Sequence, residues 1–366
     1  MYAAKPSRTI IETLYLMDTD NASLLPSVTL REVANAAGVS VGTASKVLAG
    51  KAGVSLRRSE SVRAAAKTLG YRPNGIAADL RRNRSTSIGL VIPDLLNSFF
   101  LELVHALEKF ASTNGYFLVL AHADEDPKIE MDRIRFVLSR QVAGMILIPC
   151  LGYDHALEEL QQCNVPVVMA DRVNDSFPVN TVTTDSLHAA HMGTQYLLSL
   201  GHRRIAFAVN TLDLVNSRDR ADGYIKAMQE ADLADHIQIV MCGMNAAQAH
   251  PVMLDMLMKP ERPTALFTAG NVLTLAALRA IGDANLQLPS DLSLLSFDDA
   301  PWMSVLKPRI SSIRQPVEAI GHAIWQLMLA GLRGHQTQPF SHLRFKAELL
   351  PRETTAARPV RKKRTS

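Results

Sequence analysis

Residues 29–48 read TLREVANAAGVSVGTASKVL, and this stretch decides how the N-terminal part of the chain folds. A threonine at its first position is followed three residues later by Glu32, the capping-box pattern that begins a helix, and apolar residues then recur at helical spacing. Gly38 ends this helix, and a serine two residues later is a suitable N-cap for a second helix over 41–48. The stretch therefore predicts a helix-turn-helix.

The second helix of this motif points small or polar side chains outward, namely Thr43, Ser45 and Lys46. A face of this kind enters the major groove of DNA without steric conflict. Pairs of short amphipathic helices also occur in proteins that never meet DNA, so the motif alone leaves DNA binding open. The local charge favours it, because residues 28–87 carry eleven Lys or Arg against three acidic residues, a net charge of +8.

A third helix is predicted from Ser59 to the glycine at position 70, which ends it. Its inner face is apolar and comprises Val62, Ala65, Ala66 and Leu69. Residues 74–84, NGIAADLRRNR, follow and predict a short basic helix. A helix of this length is marginal alone, so we expect it to fold only against a partner. The alternative is a basic linker.

From Ser87 onward, short β-rich runs alternate with longer helical segments. The predicted strands are SIGLVIP, YFLVLA, GMILIP, VPVVMA, RIAFAV, IQIVM, TALFTA and LSLLSF. The predicted helices between them include residues 100–113, 129–139, 186–200, 219–231 and 272–281. This alternation predicts parallel sheets with right-handed crossovers, and two such sets predict two doubly wound lobes. The fold class is thus α/β, with an all-α headpiece in front of a two-lobed core.

Polar and aromatic side chains follow the predicted strands, where ligands of doubly wound sheets bind. They are Asp94, Asn97, Phe99, Phe100, Asp171, Arg172, Arg220, Asp298 and Gln315. Sugar hydroxyls donate to carboxylates and accept from guanidinium groups, while sugar C–H faces stack on aromatic rings. Each residue alone also has a structural explanation, as a core side chain, a helix cap or a surface ion pair. As a set at the strand ends they favour a neutral sugar or sugar acid, with a purine second.

Two stretches, VTLREVANAAGVSVGTASKVL and LGYRPNGIAADLRRNRSTSIGLVIPD, together resemble the start of LacI/GalR-type transcriptional regulators, and the resemblance continues to about Thr354. It implies a homodimer whose two headpieces bind a nearly palindromic operator in double-stranded DNA. It also implies a hinge helix that folds on the operator, and a core similar to periplasmic sugar-binding proteins that receives a small effector. Repression is the expected mode, with the effector as either inducer or corepressor.

The resemblance assigns expected roles to individual residues. Val41 and Gly42 match positions where the family makes base choices, Lys46 matches a basic base-contacting position, and Leu80 matches a leucine that intercalates in the minor groove. The expected DNA-contacting set is Thr29, Val41, Gly42, Thr43, Ser45, Lys46, Asn74, Ala77 and Leu80. The effector-contacting set is Asn97, Phe99, Phe100, Asp171, Arg172, Arg220, Asp298 and Gln315. The chain departs from the family at Gly270-Asn271, where an Asn-Asp pair is common.

These observations predict the organisation of the whole chain. It comprises an N-terminal extension (1–27), a helix-turn-helix domain (28–73), a hinge (74–87), a two-lobed effector-binding and dimerisation domain (88–354) and a basic tail (355–366). The extension lacks the pattern of a signal peptide, and no apolar run is long enough to span a membrane. The three cysteines are odd in number and lack metal-ligand spacing, which predicts reduced thiols in the cytoplasm.

Two other classes of protein compete with this interpretation. A transport-type sugar-binding protein would share the core, but would need a signal peptide and would have no basic headpiece. An enzyme would share the fold class, because fold does not determine function. The sequence contains no phosphate-binding glycine loop, nucleophile elbow or metal-spaced His or Cys cluster. We therefore expect no catalysis, no cofactor and no metal.

Overall fold

The computed structural model describes residues 28–71, 85–152, 154–173, 178–335 and 339–358. These residues form two compact units, one within Met1–Arg84 and one within Ser85–Ser366. The boundary falls inside the predicted hinge, whose contact residues Asn74, Ala77 and Leu80 lie outside the described residues, as do the N-terminal extension and most of the basic tail. Each unit is described separately below.

The N-terminal unit consists of three helices, α1 (Leu30–Ala36), α2 (Val41–Leu48) and α3 (Leu56–Thr68). The capping box is present, because the Thr29 backbone N–H donates to Glu32 at 2.6 Å and the Glu32 N–H donates to the Thr29 hydroxyl at 3.3 Å. Gly38 has φ +63° and ends α1 as predicted. The small core contains Val33, Ala34, Ala44, Val47, Val62 and Ala66.

The third helix differs from the prediction at its start and on its inner face. It begins at Leu56 rather than Ser59, and Ser55 is its N-cap with an extended backbone. The first helical turn is exposed and carries two arginines. Hydrophobic periodicity gives no signal for an exposed turn. Leu69, expected on the inner face, is 37% exposed, whereas Val62 and Ala66 are buried as predicted.

The C-terminal unit contains two six-stranded sheets flanked by helices. The helices are α4 (Ser98–Thr113), α5 (Pro127–Ser139), α6 (Asp154–Gln161), α7 (Ser186–Ser199), α8 (Val215–Glu230), α9 (Ala246–Met258), α10 (Asn271–Asp283) and α11 (Val317–Leu332). The strands are β1 (Ser87–Ile92), β2 (Phe117–His122), β3 (Gly144–Leu147), β4 (Val167–Ala170), β5 (Asn180–Thr184), β6 (Ile205–Val209), β7 (Gln238–Met241), β8 (Ala265–Thr268), β9 (Ser293–Phe297), β10 (Ser311–Arg314), β11 (His342–Phe345) and β12 (Glu348–Leu350).

The two sheets have the same strand arrangement, which confirms two doubly wound lobes. Lobe 1 has the order β11-β5-β4-β3-β1-β2 with all strands parallel. Lobe 2 has the order β12-β10-β9-β8-β6-β7, and only its edge strand β12 is antiparallel to its neighbour. Because β5 and β11 lie in lobe 1 while β10 and β12 lie in lobe 2, the chain crosses between the lobes after β5, β10 and β11. These crossings join the lobes along one side of the cleft.

Four strands, β5, β10, β11 and β12, were not predicted from the sequence. Strand β5 reads NTVTT and β10 reads SSIR, so neither is an apolar run. Their serines and threonines are nevertheless buried and hydrogen-bonded. The Ser311 and Thr355 hydroxyls lie 2.7 Å apart, and the Thr184 hydroxyl donates to Gln315. Helices α6, α9 and α11 were also unpredicted. Throughout the described segments, no helix is both long and apolar enough to cross a membrane.

Candidate functional site

The two lobes place an aspartate at the same position of each sheet. Asp171 directly follows β4 and Asp298 directly follows β9, the third strand in each order. Both residues have positive φ, +64° and +70° respectively. Aspartate tolerates this left-handed conformation better than most residues, although it costs free energy, and such backbones concentrate at functional sites. Both side chains are buried and line the space between the lobes.

All eight residues predicted to contact an effector line this one interlobe cavity. They are Asn97, Phe99, Phe100, Asp171, Arg172, Arg220, Asp298 and Gln315. The cavity has a volume of about 40 Å³, which is room for roughly three water molecules. This polar space is too small for a sugar, and a larger cavity of about 720 Å³ shares Phe99, Asn271, Asp298 and Gln315 with it.

Three direct hydrogen bonds among the described residues, at Asn216, Thr184 and Asn271, link the lobes. Asn216 Nδ2 at the start of α8 donates to Asp171 Oδ2 at 3.0 Å, and Thr184 Oγ1 donates to Gln315 Oε1. Asn271 Nδ2, at the start of α10, donates to Asn97 Oδ1 at 2.8 Å. Each of these bonds joins lobe 1 to lobe 2. Opening the cleft must therefore break or replace them.

The two buried arginines of the cavity have different partners. Arg172 donates to Glu125 through both terminal nitrogens, at 2.7 and 2.8 Å, and its guanidinium lies 5.3 Å from the centre of the Phe100 ring. Arg220 donates to the Ala269 carbonyl at 2.6 Å and lies 3.7 Å from the centre of the Phe297 ring. Arg172 is thus held by a carboxylate, whereas Arg220 is held by a carbonyl and an aromatic face.

The carboxyl groups of the cavity differ from exposed ones. Burial raises the pKa of Asp171, and Arg220 and Arg172 partly offset this rise. On lobe 2, Asp298 accepts a hydrogen bond from Gln315 Nε2 at 2.6 Å and a longer one from Asn271 at 3.4 Å. These carboxylates are acceptors that face the cavity, as hydroxyl recognition requires.

Two buried side-chain atoms at the cavity, Arg172 Nε and Asn216 Oδ1, have no hydrogen-bond partner among the residues that the structure describes. Both belong to residues that approach Asp171 Oδ2, at 3.9 Å for Arg172 Nε and 3.0 Å for Asn216 Nδ2. A buried polar atom without a partner costs free energy. One donor and one acceptor beside the same carboxylate could both be satisfied by a hydroxyl group, which donates and accepts.

Sequence reasoning missed four polar residues of the cavity, Glu125, Asn210, Asn216 and Ser217, and named Asn271 only as part of the departure from the family pattern. Glu125 and Asn210 follow β2 and β6, so the same strand-end rule could have found them. Asn216 and Ser217 lie in the first turn of α8 and carry no comparable signal. Gly270, where the family pattern breaks, has an extended backbone at the N-cap of α10. Asn271, the second residue of that pair, lines the cavity and donates to Asn97 and Asp298.

The outer face of α2 carries most of the residues predicted to contact DNA. Val41, Gly42 and Lys46 are exposed, whereas Thr43 and Ser45 are half-buried. Thr43 is tied to the preceding turn, since its N–H donates to the Ser40 hydroxyl at 3.2 Å. Thr29, which is also exposed, takes part in the capping box. The arginines and lysines of α3 add exposed positive charge to this unit.

Comparisons with known proteins match both units. Residues 29–74 match the family model "Bacterial regulatory proteins, lacI family", and residues 194–355 match "Periplasmic binding protein-like domain". The catabolite control protein A of Priestia megaterium is 30% identical, over 82% of this chain and 92% of that protein. The ribose operon repressor of Halalkalibacterium halodurans is 31% identical, over 89% and 97%. A crystal structure of the Lac repressor dimer bound to operator and the anti-inducer ONPF has a TM-score of 0.80 and 27% identity, covering 90% of this chain and 100% of that one.

Proposed function

We propose that this chain, which belongs to the LacI family of bacterial regulatory proteins, is a sequence-specific transcriptional repressor controlled by a small effector. The observation that carries the proposal is the presence, in one chain, of an exposed basic helix-turn-helix and a cavity lined by every predicted effector residue. Its place of action is the cytoplasm, where bacterial DNA lies. We propose no catalytic role, in keeping with relatives that are regulators.

The DNA-binding part is a homodimer with two headpieces, each reading one half of a two-fold operator. We assign the headpiece to residues 28–73 and the hinge to 74–87. Helix α2 enters the major groove, where Lys46 donates to base edges and Gly42 allows close approach. Val41, Thr43 and Ser45 complete the face of α2 that contacts the bases, and Thr29, just before α1, contacts the DNA backbone. In the hinge, Asn74, Ala77 and Leu80 contact the minor groove.

The effector is a sugar or sugar acid bound between the lobes of residues 88–354. The ribose operon repressor among the relatives supports a sugar, and the carboxylates, guanidinium groups and Phe100 ring of the cavity match sugar hydroxyls and C–H faces. Phe99 and Phe100, whose rings lie 5.5 Å apart in an edge-to-face arrangement, supply aromatic surface that keeps a purine as the second candidate.

The cleft couples the effector to DNA. Because the cavity is only about 40 Å³ in volume, a bound sugar must replace interlobe hydrogen bonds such as Asn216–Asp171 and change the relative position of the lobes. Each hinge of the dimer leads directly into β1 of lobe 1, so a change in the position of the lobes changes the position of the hinges. Effector affinity and operator affinity are therefore linked reciprocally. An inducer favours the position that separates the hinges, and a corepressor favours the one that aligns them.

The proposal is tested by selecting operators from random duplex DNA with the full-length protein and measuring affinity by fluorescence anisotropy at fixed salt. We expect a two-fold symmetric site and a shift in operator affinity with one sugar of a panel of pentoses and hexoses. Arg220→Ala and Asp298→Ala are expected to abolish the sugar response while operator binding persists. Failure to select any site would contradict DNA recognition. A response to adenosine but to no sugar would favour the purine class.

A further inference from the structure

We propose that Glu125 is a specificity-determining residue, which restricts the cavity to uncharged polyhydroxylated ligands and excludes ligands that carry a carboxylate or phosphate. Glu125 lies on the cavity wall together with Arg172. The proposal rests on the proposed function of this cavity as the effector site. It narrows that function from sugars and sugar acids to neutral sugars.

Glu125 occupies the position where an anionic ligand would bind Arg172. A free guanidinium offers parallel N–H groups that recognise a carboxylate or phosphate in a bidentate manner. In this chain both terminal nitrogens of Arg172 donate to the two oxygens of Glu125, at 2.7 and 2.8 Å. The Arg172 and Glu125 side chains are only 8% and 19% exposed. The protein's own carboxylate thus already fills the anion site.

The charge balance of the cavity also opposes an anion. Its lining includes four carboxylates, of Asp94, Glu125, Asp171 and Asp298, against the two guanidinium groups of Arg172 and Arg220. The formal balance is therefore −2, and protonation of one aspartate still leaves it negative. A ligand carboxylate in this space would face uncompensated like charges in a desolvated site, and this repulsion weakens its binding.

The two buried atoms without a hydrogen-bond partner among the described residues, Arg172 Nε and Asn216 Oδ1, favour a ligand that carries a hydroxyl group. Asn216 Nδ2 donates to Asp171 Oδ2, and since a carboxylate only accepts, the amide oxygen of Asn216 must face away from it. That oxygen needs a donor, while Arg172 Nε needs an acceptor. A hydroxyl can supply both, whereas a ligand carboxylate or dianionic phosphate supplies only acceptors. The hydrogen-bonding pattern and the charge balance thus select the same class of ligand.

The backbone holds Glu125 in place. Asp124 and Glu125 both have positive φ, +52° and +58°, in the turn between β2 and α5. The Glu125 N–H donates to the Pro93 carbonyl at 2.9 Å, which ties this turn to the end of β1. Asp126 then caps α5 by accepting from the Lys128 N–H at 2.7 Å. A turn fixed on both sides keeps the Glu125 carboxylate directed at Arg172 instead of leaving it to a mobile loop.

The test uses ligand pairs that differ in one charged group: D-glucose and D-glucuronate, D-galactose and D-galacturonate, and D-ribose and D-ribose 5-phosphate. Dissociation constants are measured by calorimetry for the wild-type protein, for Glu125→Gln, and for the control Glu159→Gln, which removes a carboxylate paired with Arg135 outside the cavity. Circular dichroism establishes that each variant is folded. The wild-type selectivity requires no variant, so it remains informative if Glu125→Gln does not fold.

We expect the wild type to bind one neutral sugar and to bind its charged counterpart at least about a hundredfold more weakly, because the charged group is repelled by the carboxylates of the cavity. Each tenfold difference in the dissociation constant corresponds to about 1.4 kcal/mol of binding free energy. Glu125→Gln should reduce this ratio by at least about tenfold, and Glu159→Gln should leave it unchanged. Equal wild-type affinity for both members, or an unchanged ratio in Glu125→Gln, overturns the role of Glu125. If no sugar binds while operator binding persists, the effector site itself is refuted, and this inference with it.

Discussion

The ion pair between Arg172 and Glu125, both in lobe 1, allows a quantitative test of how burial strengthens an ion pair of the cavity. Replacing Arg172 by Met removes the guanidinium and leaves the Glu125 carboxylate, only 19% exposed, near the Asp171 carboxylate. Removing one partner of a buried pair costs roughly 3–5 kcal/mol, because the remaining charge is desolvated without compensation. We expect Arg172→Met to lower the free energy of unfolding of the C-terminal unit by this amount.

A double-mutant cycle separates the pair from the effect of losing a side chain. The variants Arg172→Met, Glu125→Gln and their combination are unfolded in urea and followed by tryptophan fluorescence. The two tryptophans, Trp302 and Trp325, both lie in the C-terminal unit, so the signal reports on it alone. Since the double variant removes both charges of this pair, whereas Arg172→Met leaves Glu125 beside Asp171, we expect the double variant to be more stable than Arg172→Met, with a coupling energy of at least about 2 kcal/mol.

The matched control is the pair Arg135–Glu159 on the surface of lobe 1. Its geometry is also favourable, with two Arg135 nitrogens 3.0 Å from one oxygen of Glu159, but the side chains are 61% and 32% exposed. Exposed pairs of this kind contribute about 0–1 kcal/mol. A coupling energy for Arg172–Glu125 no larger than that of the control would refute the reasoning, because burial would then have no measurable effect on the pair.

Three further predictions concern DNA recognition, helix packing and pH. Lys46→Ala should weaken binding to a selected operator by about 1–3 kcal/mol but binding to random DNA much less; equal losses in anisotropy titrations would make Lys46 a phosphate contact only. Gly223→Ala should lower the free energy of unfolding measured in urea by at least about 2 kcal/mol, since the added Cβ would lie 2.2 Å from a backbone oxygen of α7. The control Gly282→Ala, whose Cβ would meet no atom within 4 Å, should be neutral or slightly stabilising. Equal urea midpoints for the two variants would contradict this packing. Hydrogen bonds from the backbone and side chain of Arg309 lower the pKa of Glu353 from 4.5 to about 2. Its stabilisation is therefore complete above 4.5 and lost as the pH falls through about 2, so the melting temperatures of wild type and Glu353→Gln should converge over this range, and a constant difference would argue against the ion pair.

The headpiece shows how far local sequence patterns reach. The capping box at Thr29, the turn at Gly38 and the bounds of α2 were all predicted correctly. These features depend on residues three or four positions apart, whose geometry within one helical turn is nearly independent of the rest of the chain. The start of α3 was wrong because its first turn is exposed and leaves no hydrophobic periodicity.

In the core, the strand-end rule identified residues that the fold places around one cavity, but it did not give their hydrogen-bond partners. All eight predicted effector residues line one cavity. The rule could not show that Arg172 would donate to Glu125, which lies 47 positions earlier in the sequence. Nor could it show that Asn271 would donate to Asn97, which lies 174 positions earlier. Strands β5 and β10 were missed for a related reason, since their buried serines and threonines are stabilised by distant hydrogen-bond partners rather than by apolar character.

By itself, the sequence determined the helix-turn-helix, the alternation of strands and helices, and the polar residues at the strand ends, because each depends on local periodicity and local caps. The tertiary structure alone decided which of those polar side chains already have a protein partner and which can bind a ligand. That outcome depends on strand order, on the left-handed turns at Glu125, Asp171 and Asp298, and on the approach of the two lobes. Pairing between side chains far apart in the sequence is a long-range property, and it determines which charges in the cavity are already neutralised.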